Sequence, residues 1–263
     1  MPTITKSVRP VRPNVGTRKR YQRQMTALIR EMADAIENYV LMQRRADPPM
    51  MASDASPASV MEKTLGRLFE QWQGRFDGMA AKVAKSFVEN QWRGADSAFR
   101  QALRDAGWSI QFVITPPMQD ALDAMIAENV GLIKSIPEQY LREVQGIVMR
   151  NYAASRDIKT MAKEIRARYG VASRRAMLIA RDQTNKCTSI VQRVRMTEIG
   201  IKEAMWMHSH AGKTPRPTHV AMDQKTYKIG KGMYDSAEKR WIYPGELINC
   251  RCTSRAVLPF TPA

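Results

Sequence analysis

Between Leu65 and Phe87, large apolar side chains return every three or four residues: Leu65, Leu68, Phe69, Trp72, Phe76, Met79, Val83 and Phe87, with Lys, Arg and Glu between them. A helix gathers such residues onto one face, so this stretch demands a long amphipathic helix that other elements must cover. The spacing recurs at Met25, Leu28, Ile29, Met32, Ile36 and Tyr39, in a helix expected to end before Asp47-Pro48-Pro49, because the residue preceding proline is held out of helical backbone. A Ser/Ala/Pro/Met-rich stretch to Ser59 reads as a linker. Gly107 and Thr115-Pro116-Pro117 separate the long helix from a third, through Leu122, Met125, Ile126, Leu132 and Ile133.

Ser135 and Glu138 have the spacing of a capping box, with Pro137 in the first turn, and predict a new helix through Leu141, Val144, Ile147 and Val148. Asp157 to Tyr169 predicts a short helix closed by Gly170, and Ser173 a further one running to Ile199 and closed by Gly200. After Gly200 the texture changes. Met205-Trp206-Met207, Lys225 to Lys228, Arg240 to Tyr243 and Thr253 to Leu258 read as short strands or extended loops, with Gly230, Gly232, Pro244 and Gly245 marking turns. The fold class is therefore α+β: a mainly α-helical N-terminal region and a small mixed α/β module at the C-terminal end. Three parts are expected, a basic extended arm over 1–23, a helical region over 24–154 and a C-terminal domain over 155–263.

The arm carries Lys6, Arg9, Arg12, Arg18, Lys19, Arg20 and Arg23, is interrupted by Pro2, Pro10 and Pro13, and contains no acidic residue. It belongs to a chain of 263 residues with a formal net charge of +17, whose field favours a polyanion or an acidic protein. The arm's cations could neutralise DNA phosphates without reading sequence, or equally form a solvated tail or an anchor on an acidic protein. Three cysteines, Cys187, Cys250 and Cys252, cannot all pair within one chain and point to a reducing cytosol rather than a secreted disulfide scaffold. Neither a signal-peptide core nor the ~20 apolar residues of a membrane helix is apparent, so no membrane partner is expected.

Three blocks near the C-terminus resemble the Mu F-like phage head protein family, in that family's order. They are Tyr169-Gly170-Val171-Ala172-Ser173-Arg174-Arg175-Ala176 running into Leu178-Ile179-Ala180-Arg181-Asp182-Gln183-Thr184-Asn185-Lys186; Arg216-Pro217-Thr218-His219 followed by Met222-Asp223; and Pro244-Gly245-Glu246-Leu247-Ile248-Asn249-Cys250-Arg251-Cys252. The resemblance covers roughly Ser155 to Pro259. At Gln224 many members have glycine, so a different backbone conformation is expected at that turn. The resemblance implies a low-copy structural protein, made in the host cytoplasm and carried inside the virion head. It further implies association with the portal and other head proteins and a role in head assembly or genome handling; the charge of +17 adds the expectation of non-specific contact with double-stranded DNA.

Within the last module, His208, His210, His219, Asp223, Cys250 and Cys252 are the residues with metal-ligand chemistry. Imidazole and thiolate suit zinc, and His219, Cys250 and Cys252 are the candidate ligands of a structural ion; no other cofactor is expected. On a regular strand Cys250 and Cys252 would face opposite ways, so one ion could join them only at a turn or bulge. The alternative makes them small, partly buried residues, with His219 hydrogen-bonded beside a turn. A disulfide between them would close a strained ring.

Arg181, Asp182, Gln183 and Asn185 form a polar run in an amphipathic helix. It is expected to be a solvated face with one buried member, although the family match suggests a structural lock between these residues, Asn249 and the C-terminal module. Gly212-Lys213-Thr214 is no Walker loop, since Met207 stands where its first glycine belongs. No enzymatic activity is expected. The rival readings are a zinc-assisted nuclease built on His208, His210, His219 and Asp223, and an internal protein ejected with the genome.

Overall fold

The structure is a computed structural model that describes residues 6–46, 56–154, 157–210 and 214–258. The first residues of the arm, positions 47–55 of the linker, and Gly212 and Lys213 lie outside the described residues. Strand β1 (Lys6–Ser7) precedes four long helices, α1 (Val15–Ala46), α2 (Pro57–Asp105), α3 (Pro116–Ala153) and α4 (Ile158–Glu198). There follow β2 (Glu203–Met207), α5 (Pro217–Met222), β3 (Thr226–Lys228), β4 (Met233–Asp235), β5 (Arg240–Ile242) and β6 (Thr253–Leu258). The chain is α+β, with helices first and a small antiparallel module last. Among the described residues no helix is long and apolar enough to cross a membrane.

Among the described residues, Lys6 to Arg23 are paired and then helical, where an extended arm was expected. Lys6 and Ser7 pair antiparallel with Leu258 and Val257, and the Val8 N–H donates to the Ala256 carbonyl at 3.3 Å. Val8 and Val11, set among the cations, are buried. Their burial offsets the ordering that charge and proline alone would oppose. Asn14 then caps α1, its Oδ1 accepting from the Thr17 N–H at 3.0 Å, so Arg18, Lys19, Arg20 and Arg23 are helical. At the linker's end, α2 starts at Pro57 with Ser56 Oγ accepting from the Ser59 N–H, a cap followed by proline in the first turn.

Two expected breaks do not occur. Helix α3 continues through Pro137 and α4 through Gly170 and Ser173. Buried positions run across both places without a change of phase: Ile133, Ile136, Tyr140, Leu141 and Val144 on α3, and Met161, Ile165, Ala172, Ala176 and Ile179 on α4. Ser135 Oγ donates to the Leu132 carbonyl, a bond within the helix, instead of capping a new one. Continuous burial outweighs one lost ladder bond at Pro137 and the roughly 1 kcal/mol helical cost of Gly170.

The chain divides into two compact units whose boundaries fall within the long helices. One unit comprises 20–84 and 128–179, portions of all four long helices. Its core includes Met25, Ile29, Met32, Ile36, Leu65 and Phe76, and Tyr21 Oη donates to Asn129 Oδ1 in its interior at 3.0 Å. The exposed pairs Arg75–Glu31 and Arg166–Glu37 tie α1 to α2 and α4.

The other unit comprises 1–19, 85–127 and 180–263 and contains the sheet. Strand order is β1-β6-β2-β3, all antiparallel, beside a β4–β5 hairpin. Strict alternation buries Ala204 and Trp206 on β2 and Ser254, Ala256 and Leu258 on β6, with Ala204 opposite Ala256 and Trp206 opposite Ser254. The same unit buries Arg195. Its Nε donates to Asp96 Oδ1 at 2.7 Å, its Nη1 to the Val113 carbonyl and to Glu198 Oε2 at 2.7 Å each, and its guanidinium lies 4.6 Å from the Phe112 ring centroid. Arg195→Leu would strip Asp96 of its buried partner, leaving it only the half-exposed Arg100 guanidinium at 2.6 Å, and would take the same cation from Glu198. Denaturant unfolding should show a loss of about 2–4 kcal/mol, partly recovered when Asp96→Leu is added.

Candidate metal centre

His219 reaches its position through a short local construction. Pro217 starts α5, where its fixed backbone suits the first helical turn, and this aims Thr218 and His219 inward while Val220 remains exposed. Trp206 of β2 meets the imidazole edge-on, with centroids 5.1 Å apart. His219 Nδ1 lies 3.5 Å from Cys250 Sγ and 3.7 Å from Cys252 Sγ, all three residues being buried. Its Nε2 is 3.3 Å from Asp235 Oδ2 but out of hydrogen-bond alignment, so that nitrogen has no hydrogen-bond partner among the described residues.

The cysteines converge because they precede β6 instead of lying on it. The chain turns at Pro244-Gly245, with Gly245 at φ 81°, and again at Asn249, at φ 62°. A Cβ on Gly245 would come within 3.2 Å of the Ser189 side chain and 3.3 Å of the Asn185 carbonyl. Asparagine is among the few non-glycine residues that adopt the left-handed conformation readily, which accounts for its place before Cys250. The Gly245 N–H donates to Cys250 Sγ at 3.3 Å. A hydrogen bond from Cys252 draws the pKa of the Cys250 thiol down, while the bond to Cys250 and burial push that of Cys252 up.

Asp235 on β4 is fully buried and was not singled out from the sequence, where a lone aspartate near a turn carries no signal. Its Oδ1 accepts from the Ala237 and Glu238 N–H groups and its Oδ2 from Thr218 Oγ1 at 3.1 Å. Burial alone would raise its carboxyl pKa; these bonds and His219 outweigh it and hold it below the usual carboxylate range.

The other candidate metal residues form a second group. Asp223 Oδ2 is 2.9 Å from His210 Nε2, its Oδ1 accepts the His208 N–H at 2.7 Å, and His208 Nδ1 is 3.3 Å from His210 Nδ1. The structure thus separates His210 and Asp223 from the His219–cysteine cluster, while His208 lines a cleft of about 240 Å³ beside that cluster. Ser209, Arg181, Arg216 and Arg251 also line the cleft. Gln224 occupies the left-handed region at φ 59°, so the turn keeps a glycine-like conformation despite the residue change. Its N–H donates to the Trp206 carbonyl at 2.8 Å, which holds it there.

The polar run on α4 is not a solvated face. Asp182, Gln183 and Asn185 are buried, and three bonds reach the cysteine turn: Arg181 Nη2 to Asn249 Oδ1 at 2.8 Å, the Asn249 N–H to Asp182 Oδ1 at 2.7 Å, and Asn185 Nδ2 to the Cys250 carbonyl at 2.8 Å. Further along α4, Ser189 Oγ donates to the Pro244 carbonyl and Gln192 Nε2 to the Ser254 carbonyl at 3.0 Å. Ser189 and Gln192 were missed in the sequence, although they continue the i, i+3, i+4 spacing of Arg181, Asp182 and Asn185. Of the cations expected to bind DNA, Arg9 pairs with Asp105 at 3.4 Å, and Arg12, Lys19, Arg20 and Arg23 are exposed. Arg20 and Arg23 belong to the helical unit and the others to the sheet-containing unit.

Sulfur, sulfur and imidazole within 4.8 Å of one another form a soft donor set, able to hold a thiophilic cation. The sequence profile of the family described as Phage Mu protein F like protein matches residues 142–255. A protein of Haemophilus influenzae described as uncharacterized is 26% identical over 254 residues, covering 95% of this chain and 55% of the relative. The chain thus spans about half that relative's length. No solved structure matches. Asn185→Leu removes the side-chain donor to the Cys250 carbonyl within the matched region. It should cost about 1–3 kcal/mol in denaturant unfolding and speed modification of Cys250 by a thiol reagent.

Proposed function

We propose, from the match of residues 142–255 to the phage Mu F-like family, that the chain is a phage head morphogenesis protein, a minor structural component of the virion head. The family match carries this reading. It contains α4 from end to end, α5 and the cysteine turn, so the matched residues are those that build the locked C-terminal module.

In finer detail, the protein acts inside the head beside the portal and other head proteins and touches double-stranded DNA without sequence preference. Its charge of +17 supports this, as does the distribution of that charge. Arg181, Arg216 and Arg251 line one cleft, and burial together with Arg251 and Arg18 lowers the pKa of Arg181. Cations held near one another in this way are relieved by a polyanion. The role is structural, with no turnover.

Co-sedimentation with portal assemblies, with and without DNA and across a salt series, tests both levels. Portal binding should survive nuclease treatment and moderate salt. DNA binding should fall steeply with salt, and Arg12→Ala, Arg18→Ala and Lys19→Ala together should flatten the log–log salt slope by about 0.9 for each phosphate no longer neutralised. An unchanged slope would remove these cations from the DNA interface. Metal-dependent DNA cleavage abolished by Asp223→Asn would replace the structural role with the nuclease reading.

A further inference from the structure

We propose that His219 Nδ1, Cys250 Sγ and Cys252 Sγ bind one zinc-class divalent cation that fastens the C-terminal module together. The first argument is metric. Tetrahedral zinc with Zn–S of about 2.3 Å and Zn–N of about 2.0 Å places sulfur and nitrogen ligands roughly 3.5 Å apart. The observed separations of 3.5 and 3.7 Å lie close to that value, and all three ligand atoms are within 4.8 Å of one another. Two thiolates and an imidazole select zinc over magnesium and calcium, which take oxygen ligands.

The surroundings are those of a ligand shell. A metal-bound imidazole needs a partner for its other nitrogen, and His219 Nε2 faces Asp235 Oδ2 at 3.3 Å, a short reorientation from a hydrogen bond. Asp235 is itself fixed by Thr218 and two backbone N–H groups, so its free reach is toward the histidine. The Gly245 N–H to Cys250 Sγ bond offsets thiolate charge in the same way. Neither Cys250 nor Cys252 is in a disulfide.

The ion would join α5, the turn at 244–250 and the start of β6, elements whose strands are short and whose apolar core is small. A structural metal supplies stability where burial cannot. All three ligand residues line the same cleft as His208 and Ser209. This inference rests on the cluster geometry alone and stands apart from the head-protein reading.

The test is metal content of the full chain purified from zinc-supplemented cells, with cobalt replacement as a spectroscopic check. About one zinc per chain is expected, and cobalt should give the near-ultraviolet thiolate charge-transfer band and the intense visible bands of a tetrahedral site. Cys252→Ser and His219→Ala should lose at least about tenfold in zinc affinity, whereas Cys187→Ser, which alters a buried thiol elsewhere on α4, keeps it. His219→Cys keeps three soft donors and should restore binding, which separates loss of a ligand from loss of the fold. Wild-type protein that takes up neither zinc nor cobalt, or His219→Ala and Cys252→Ser proteins that bind as wild type does, would overturn the proposal.

Discussion

The C-terminal module depends on a buried polar stripe along α4. Arg181, Asp182, Asn185, Thr188, Ser189, Gln192 and Arg195 recur at helical spacing, and most of their partners are backbone groups or buried side chains on other elements. Thr188 Oγ1 accepts from Gln91 Nε2 at 2.7 Å, extending the stripe to α2. An unpaired polar group in such a place costs about 1–3 kcal/mol, so the stripe tolerates one arrangement of its neighbours and excludes slipped ones. Apolar packing alone would accept several registers of short strands against a helix. Directional bonds to the Pro244, Cys250 and Ser254 carbonyls choose among them.

How far this was legible in the sequence follows from the range of each signal. The long amphipathic helices were readable because their apolar period persists over many turns. Local punctuation misled at Pro137, Gly170 and Ser173, where a continuous buried face overrode single-residue preferences. The N-terminal stretch was misjudged for a related reason: seven cations and three prolines are conspicuous, whereas Val8 and Val11 acquire meaning only once β6 is in place beside them. At the site, residue chemistry drew attention to His219, Cys250 and Cys252. Asp235 escaped notice because its role is set by α5 and a hairpin turn distant in sequence.

The polar run on α4 shows what periodicity leaves out. A row of Arg, Asp, Asn, Ser and Gln has the same pattern whether water or protein faces it. The deciding fact is supply of partners: the turn at 244–250 presents carbonyls and N–H groups that no strand ladder satisfies, and α4 supplies their complements. Burial of the run and irregularity of the turn are thus one feature seen from two sides.

That reciprocity also explains why the Pro-Gly-Glu-Leu-Ile-Asn-Cys-Arg-Cys segment holds demanding and permissive positions close together. Since α4 grips the segment mainly through backbone atoms, side chains matter where the backbone needs unusual torsions or where an atom points into the cluster. Gly245 meets both conditions, with a positive φ, α4 close against the place where a Cβ would stand, and its N–H on a sulfur. Asn249 combines a positive φ with bonds to Arg181 and Asp182. Cys250 and Cys252 bring the sulfurs to His219. Ile248, at 68% exposure, meets neither condition: its carbonyl accepts from Arg216, and its side chain is left to solvent or to whatever surface the module docks against.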